Sequence, residues 1–89
     1  MIVRACMITN RLGLHARAAS RLVEIAQEYG ASVTIKTSEK SANAKSIMSV
    51  LMLAATQGTQ VELQSEGEDE QEAIDAIEIL INNLFGEGE

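Results

Sequence analysis

The stretch HARAASRLVEIAQEYGASVTIKT, residues 15–37, joins a helical pattern directly to a strand pattern and so sets the order of the fold. From Ala16 onward, apolar residues recur at spacings of three and four, which predicts an amphipathic helix of about three to four turns. The apolar positions of this helix are Ala19, Leu22, Val23, Ala26 and Tyr29. Gly30 offers a left-handed stop, and Val33 and Ile35 alternate with polar residues as in a half-buried strand.

Three further strands are predicted around this unit. MIVRACMI, residues 1–8, opens as a strand with apolar residues on both faces, so the sequence leaves its buried face open. SEKSANA, residues 38–44, turns back as a short partner strand. TQVELQSEG, residues 59–67, alternates again and is predicted to place Val61 and Leu63 inward.

Two more helices complete the pattern. Ser46 precedes the apolar run IMSVLMLAA and is predicted to be the N-cap of a short helix, with Gly58 beyond its end. The acidic segment 66–72 is predicted to be a solvated helix start, where carboxylates complement the positive helix end. The apolar positions that follow are Ala73, Ile74, Ile77, Ile81 and Leu84. Gly86 is expected to end this helix, and GEGE, residues 86–89, to form a frayed tail.

The predicted order is therefore βαββαβα, in a single domain spanning residues 1–89. The clear strands are apolar on one face and polar on the other. Three helices should thus cover one face of a four-stranded antiparallel sheet and leave the other face in water. The expected fold class is an α/β (α+β) open-faced sandwich.

Composition narrows the class of protein. Hydrophobic residues make up 46% of the chain, and the longest apolar run, VLMLAA, is too short to insert into a membrane. The start lacks the features of a secretory leader, and Cys6 is the only cysteine, which excludes an internal disulfide. We therefore expect a cytoplasmic protein.

Charge is distributed unevenly along the chain. The net charge of −6 argues against nucleic-acid binding, which requires a basic surface. Residues 1–45 nevertheless hold all seven basic residues and only three acids. Arg11, Arg17 and Arg21 lie around His15, the only histidine, so it falls in the basic half of an acidic protein.

His15 is placed to accept a phosphoryl group. If the helix begins at Ala16, the unpaired N–H groups of Ala16, Arg17 and Ala18 and the positive helix end form an anion site beside the imidazole. Arg17 can add a charge-assisted contact to phosphate oxygens. The same positive surroundings disfavour imidazolium, which leaves the ring a nucleophilic lone pair. A plain capping or surface role for His15 is the alternative, whereas a metal site lacks ligands and a hydrolytic triad lacks partners.

Two motifs resemble those of the histidine-containing phosphocarrier (HPr) family of the bacterial phosphoenolpyruvate-dependent phosphotransferase system. GLHARAA, residues 13–19, is similar to the active-site signature, and KSIMSVLMLAATQG, residues 45–58, is similar to the regulatory-serine helix. The resemblance implies that His15 accepts a phosphoryl group from phospho-Enzyme I, with Arg17 as its phosphate partner, and passes it to Enzyme IIA domains for sugar uptake. It also implies that HPr kinase/phosphorylase modifies Ser46 in some bacteria.

The same resemblance suggests a docking surface. Part of the regulatory-serine helix lies beside the active histidine in this family, so we expect Ile47 and Met48 to contact partners. On the alternative interpretation, at least half of Ile47, Met48, Leu51 and Met52 are core residues. The implied protein is a monomer that needs no metal and no cofactor.

The chain departs from the family pattern at two positions. Ala18 stands where proline is usual, which restores one N–H near the phosphate, so the site should survive. Ser49 replaces a glycine, which affects recognition of Ser46 by the kinase more than phosphotransfer. Two other functions stay open: the nitrogen-branch regulatory carrier NPr, and a small binding domain without chemistry in which His15 only caps a helix.

Overall fold

The computed structural model describes residues 1–88. Its elements follow the predicted order βαββαβα. They are β1 (Ile2–Met7), α1 (Ala16–Gln27), β2 (Ser32–Lys36), β3 (Ser41–Asn43), α2 (Ile47–Met52), β4 (Gln60–Glu66) and α3 (Glu70–Asn82), followed by a 3₁₀ turn (Leu84–Gly86). The short partner strand predicted within residues 38–44 is therefore confirmed as β3.

The four strands form one antiparallel sheet in the order β1-β4-β2-β3. Ile35 of β2 lies opposite Leu63 of β4 on one side and Ala42 of β3 on the other. β1 and β3 are the edge strands, so β4, the last strand along the chain, lies in the middle of the sheet between β1 and β2. The open-faced sandwich predicted from the alternation is confirmed.

The helices pack on one face of this sheet. The inward strand residues Val33, Ile35, Val61 and Leu63 are buried, and so are Leu22 of α1 and Ile74 and Ile77 of α3. Residues that alternate with them on β4, such as Gln60, are exposed or half-buried. This contrast leaves the second face of the sheet open, as the sequence predicts.

The face of β1 that points toward the helices carries Arg4. Ile2, Arg4 and Cys6 are half-buried, and the residues between them are exposed. The guanidinium of Arg4 donates to Asp75 at 2.6 Å and to Glu78 at 3.0 Å, both on α3. The hydrogen bond to Asp75 and the nearby negative charges raise the pKa of Arg4, against the effect of burial. A charged residue can thus point toward the helices because α3 supplies its partners.

The acidic segment 66–72 does more than begin a helix. Asp69 accepts hydrogen bonds from the backbone N–H of Gly30 at 2.9 Å and of Ala31 at 2.8 Å. The hydrogen bond from Gly30, and to a smaller extent the one from Ala31, lowers the pKa of Asp69 below its ordinary value. The predicted solvated helix start is found, since α3 begins at Glu70 and most of the segment is exposed, but Asp69 also ties the entry of β2 to the start of α3.

The helix ends also differ from the predictions. α1 ends at Gln27. Gly30 does not have a positive φ, so the predicted left-handed stop at this residue is wrong. α3 ends at Asn82, which leaves Leu84 outside the helix. Leu84 and Phe85 both have positive φ, at 57° and 54°, and turn the chain back. Among residues 1–88, no helix has the length and apolar character needed to cross a membrane.

Candidate functional site

His15 is the N-cap of α1, as its position before Ala16 predicts. Its backbone is extended, and its carbonyl accepts the N–H of Ala19 at 2.8 Å. The ring nitrogen Nδ1 accepts the backbone N–H of Arg17 at 3.3 Å. The imidazole therefore caps the helix, and Nδ1 faces the positive end of the helix dipole.

The loop before His15 is held in place by close backbone contacts. Gly13 has a φ of +66°, and a Cβ at this position would overlap the carbonyl oxygen of Ala55. That oxygen accepts the N–H of Leu14 at 2.9 Å. The buried side chain of Asn10 donates to the carbonyl of Gly13 at 2.8 Å. These contacts fix the segment that carries His15 into the helix.

The C-terminal segment returns to the same place. Phe85 is fully buried, and its carbonyl accepts a hydrogen bond from Arg21 of α1. Glu87, two residues later, contacts Nε2 of His15 through Oε2 and accepts from Nδ2 of Asn10 at 3.0 Å through Oε1. The prediction that residues 86–89 form a frayed tail is thus wrong for Glu87, whose side chain is only 9% exposed. The part of that prediction concerning Glu89 lies outside the described residues.

These contacts assign the proton of the neutral ring. Because Nδ1 accepts an N–H, it carries the lone pair, and the ring proton of a neutral imidazole then lies on Nε2, which donates to Glu87. Burial raises the pKa of Glu87, but hydrogen bonds from Asn10 and His15 outweigh it and leave the pKa below its ordinary value. The carboxylate is therefore ionised at neutral pH. This arrangement leaves the lone pair of the neutral ring on Nδ1.

A shallow cleft opens over this histidine. It is lined by Leu12, His15, Ala16, Arg17 and Glu87. The side chain of His15 is 28% exposed, and Arg17 is exposed beside it. Ala18 is fully buried, backbone included, and does not line the cleft, so its N–H group does not contribute to an anion site there as predicted. The structure thus brings together His15, Ala16 and Arg17, as the sequence predicts.

Helix α2, which begins after Ser46, has an exposed apolar surface. Ser46 is the N-cap of α2, and its Oγ accepts the N–H of Ser49 at 3.3 Å. Ile47 is 42% exposed and Met48 is 69% exposed. Met52 is exposed as well, and Leu51 is half-buried, so the interpretation that at least half of these four side chains are core is wrong. The exposed residues are available to a partner.

Two residues at the site were missed in the sequence. Asn10 lies in a loop, and Glu87 lies in a polar tail, so neither belongs to a periodic pattern that marks a function. Only the turn at Leu84 and Phe85 brings Glu87 to His15. Within the described part of the chain, no group of three or more His, Cys, Asp and Glu side chains has the arrangement of a metal site.

Comparison with known sequences gives full-length matches. A family model described as the PTS HPr component phosphorylation site matches residues 2–83. The phosphocarrier protein HPr of Cupriavidus necator is 48% identical over 89 residues, and the match covers both chains completely. The phosphocarrier protein NPr of Shewanella violacea is 43% identical over 84 residues, which are 94% of this chain and 92% of that relative.

Solved structures match as well. The crystal structure of HPr-C-His from Thermoanaerobacter tengcongensis has a TM-score of 0.94 and 41% sequence identity, with 98% of each chain covered. The crystal structure of an HPr dimer from the same organism has a TM-score of 0.78 and 43% identity, covering 92% of this chain and 94% of that one. This chain is therefore similar to these two proteins in both sequence and fold.

Proposed function

This chain belongs to the HPr family and is a phosphocarrier of the phosphotransferase system, and we propose that Nδ1 of His15 is the atom that carries its phosphoryl group. One observation supports this assignment above the others: Nδ1 accepts the N–H of Arg17 and so presents its lone pair at the start of α1. The ring is also partly exposed to an incoming donor.

The transfer reaction follows from this geometry. The lone pair of Nδ1 forms the new bond to phosphorus, while the bond between phosphorus and the donor group of Enzyme I breaks and the donor keeps that electron pair. The N–H of Arg17, now at 3.3 Å from Nδ1, is then available to a phosphate oxygen, together with the N–H group of Ala16. The exposed guanidinium of Arg17 adds a charge-assisted contact.

Transfer requires protein partners. As a family member, this chain takes the phosphoryl group from Enzyme I and gives it to Enzyme IIA domains. Ile47 and Met48 would form part of the surface that meets them, since both are exposed apolar side chains on α2. Ser46 would be the site of HPr kinase/phosphorylase in a host that has this enzyme.

Residues 1–89 would act as one phosphocarrier domain in the cytoplasm. His15, Arg17, Asn10 and Glu87 all come from one copy, so the site is complete in a monomer. One matching structure is a dimer of HPr, which makes the oligomeric state a direct test. Light scattering at the concentration of the transfer assay should give the mass of one chain.

The nitrogen-branch carrier is the second candidate, favoured by the 43% identity to NPr of Shewanella violacea. The two functions differ in the domain that accepts the phosphoryl group. Transfer from the phosphorylated chain to a sugar-specific Enzyme IIA and to a nitrogen-regulatory Enzyme IIA should be compared at equal concentrations. Faster transfer to the nitrogen-regulatory domain would support regulation as the main function.

The assignment is tested by incubating the chain with phosphoenolpyruvate and Enzyme I and reading the intact mass. The expected result is the addition of one phosphoryl group, which then passes to an added Enzyme IIA domain. Omission of Enzyme I is the control and should leave the mass unchanged. A chain that gains no mass with active Enzyme I would instead be a binding domain in which His15 only caps α1.

A further inference from the structure

Glu87 is held against His15 from two directions. Asn10, itself fully buried, donates through Nδ2 to Oε1 of Glu87 at 3.0 Å and to the carbonyl of Gly13 at 2.8 Å. Oε2 of Glu87 is thereby left to meet Nε2 of His15. Phe85, buried two residues earlier, anchors the segment that carries Glu87. The carboxylate is therefore a fixed part of the site.

The contact lies on the far nitrogen of the ring. Glu87 meets Nε2, whereas Nδ1 faces the N–H of Arg17. A carboxylate on Nδ1 would block the phosphoryl group and repel it, but a carboxylate on Nε2 leaves Nδ1 accessible. The geometry is that of a histidine whose second nitrogen is oriented by an acid, an arrangement that fixes both the tautomer and the direction of the ring.

We propose that Glu87 is a positioning residue for phosphotransfer, because its carboxylate keeps the ring proton on Nε2 and so keeps the lone pair on Nδ1. This proposal rests on the proposed function of His15. When Nδ1 bonds to phosphorus and Nε2 retains its proton, the ring becomes positively charged. The carboxylate of Glu87 lies next to that charge and stabilises it, while Asn10 keeps the carboxylate in place.

The ring tautomer is the readout that separates positioning from a structural role. We would record the ¹⁵N resonances of the His15 ring in the full chain, since protonated and unprotonated ring nitrogens have different shifts. Glu87→Gln should increase the share of the Nδ1–H tautomer, because an amide can donate to Nε2 as well as accept from it. Glu87→Ala removes the carboxylate that accepts the proton of Nε2, so it should also shift the tautomer toward Nδ1–H.

The same variants are then assayed for transfer from Enzyme I. Both should be slowed about tenfold, by analogy with the lower end of the range for loss of the outer partner of a metal-ligating histidine. Glu68→Gln is the matched control, since it removes the same charge at an exposed position, and it should change neither the tautomer nor the rate.

The proposal is overturned if the ring keeps its Nε2–H tautomer in both Glu87 variants, or if both transfer as fast as the natural chain. These results are distinct from failure of the proposed function. If the natural chain accepts no phosphoryl group, the function of His15 is wrong, and the tautomer measurement alone still decides whether Glu87 orients the ring.

Discussion

Gly13→Ala tests whether the loop before His15 depends on a close backbone contact. Gly13 has a φ of +66°, which costs an L-residue about 1–2 kcal/mol. The added Cβ would also overlap the carbonyl oxygen of Ala55 and lie 2.9 Å from Cα of Thr56. This second effect is absent at a glycine that only has an unusual φ.

The cost of the overlap follows from what has to move. Separating the two backbone segments weakens the hydrogen bond from Leu14 to Ala55, now 2.9 Å long, for a loss of about 1 kcal/mol. Overpacking adds at least about 1 kcal/mol. With the backbone strain, the free energy of unfolding should fall by about 3 kcal/mol, which lowers the melting temperature of a chain of this size by about 12–24 °C.

Gly58→Ala is the matched control for this experiment. Gly58 has a φ of +89°, and a Cβ there would meet no atom within 4 Å. Only the backbone strain applies, so the loss should be about 1 kcal/mol and the melting temperature should fall by about 4–8 °C. Thermal unfolding followed by circular dichroism measures both variants.

Transfer activity provides a second readout for the same pair. At a temperature where both variants are folded, Gly13→Ala should accept the phosphoryl group more slowly, because the displaced loop carries His15. Equal losses of melting temperature in Gly13→Ala and Gly58→Ala would refute the argument, since the contact with Ala55 would then have no cost.

Three further predictions concern individual side chains. Arg17→Ala should slow transfer about ten- to hundredfold, because a charge-assisted contact of about 1.5–3 kcal/mol is lost. Arg17→Lys should recover only part of the rate, and initial rates of transfer from Enzyme I measure both variants. Ser46→Asp should keep its melting temperature, since Asp is as good an N-cap as Ser, yet transfer more slowly through repulsion of Enzyme I, with a deficit that shrinks at high salt. A lower melting temperature that accounts for the whole deficit would leave Ser46 only a cap. Asp69→Asn should lower the melting temperature at neutral pH, where the depressed pKa of Asp69 makes its ionised form stabilising, and the difference from the natural chain should shrink as pH falls through that pKa. An equal difference at all pH values would contradict this assignment.

The periodic parts of the fold could be predicted from the sequence. The spacing of apolar residues in α1 and the alternation in β2 and β4 are local, and each leads to a face that must be buried. His15 could be placed at a helix start for the same reason. The short strand β3 is predicted as well, because residues 38–44 could turn back beside β2, and Ser41–Asn43 do pair with it.

Features that depend on distant partners could not be predicted. Gly30 adopts no left-handed conformation, and its N–H bonds to Asp69, 39 residues away. β1 turns Arg4 inward because Asp75 and Glu78 of α3 receive it. Tertiary contacts of this kind leave no periodic signal in the local sequence.

The structure differs most from the sequence prediction in the C-terminal segment, which lies at the site. Leu84 continues the helical spacing of α3, but the chain leaves the helix at Asn82 and turns through Leu84 and Phe85. Phe85 becomes buried, and Glu87 reaches His15. A short acidic tail in the sequence gives no sign of this return.

The most direct test of the account is to locate the phosphoryl group after reaction with phosphoenolpyruvate and Enzyme I. The natural chain should carry one acid-labile phosphoryl group, and ¹⁵N spectra should place it on Nδ1 of His15. His15→Ala should stay folded but melt about 4–8 °C lower, because about 1 kcal/mol is lost with the N-cap of α1, and it should accept no phosphoryl group. Full phosphorylation of a folded His15→Ala variant, or a phosphoryl group on Nε2, would contradict the account.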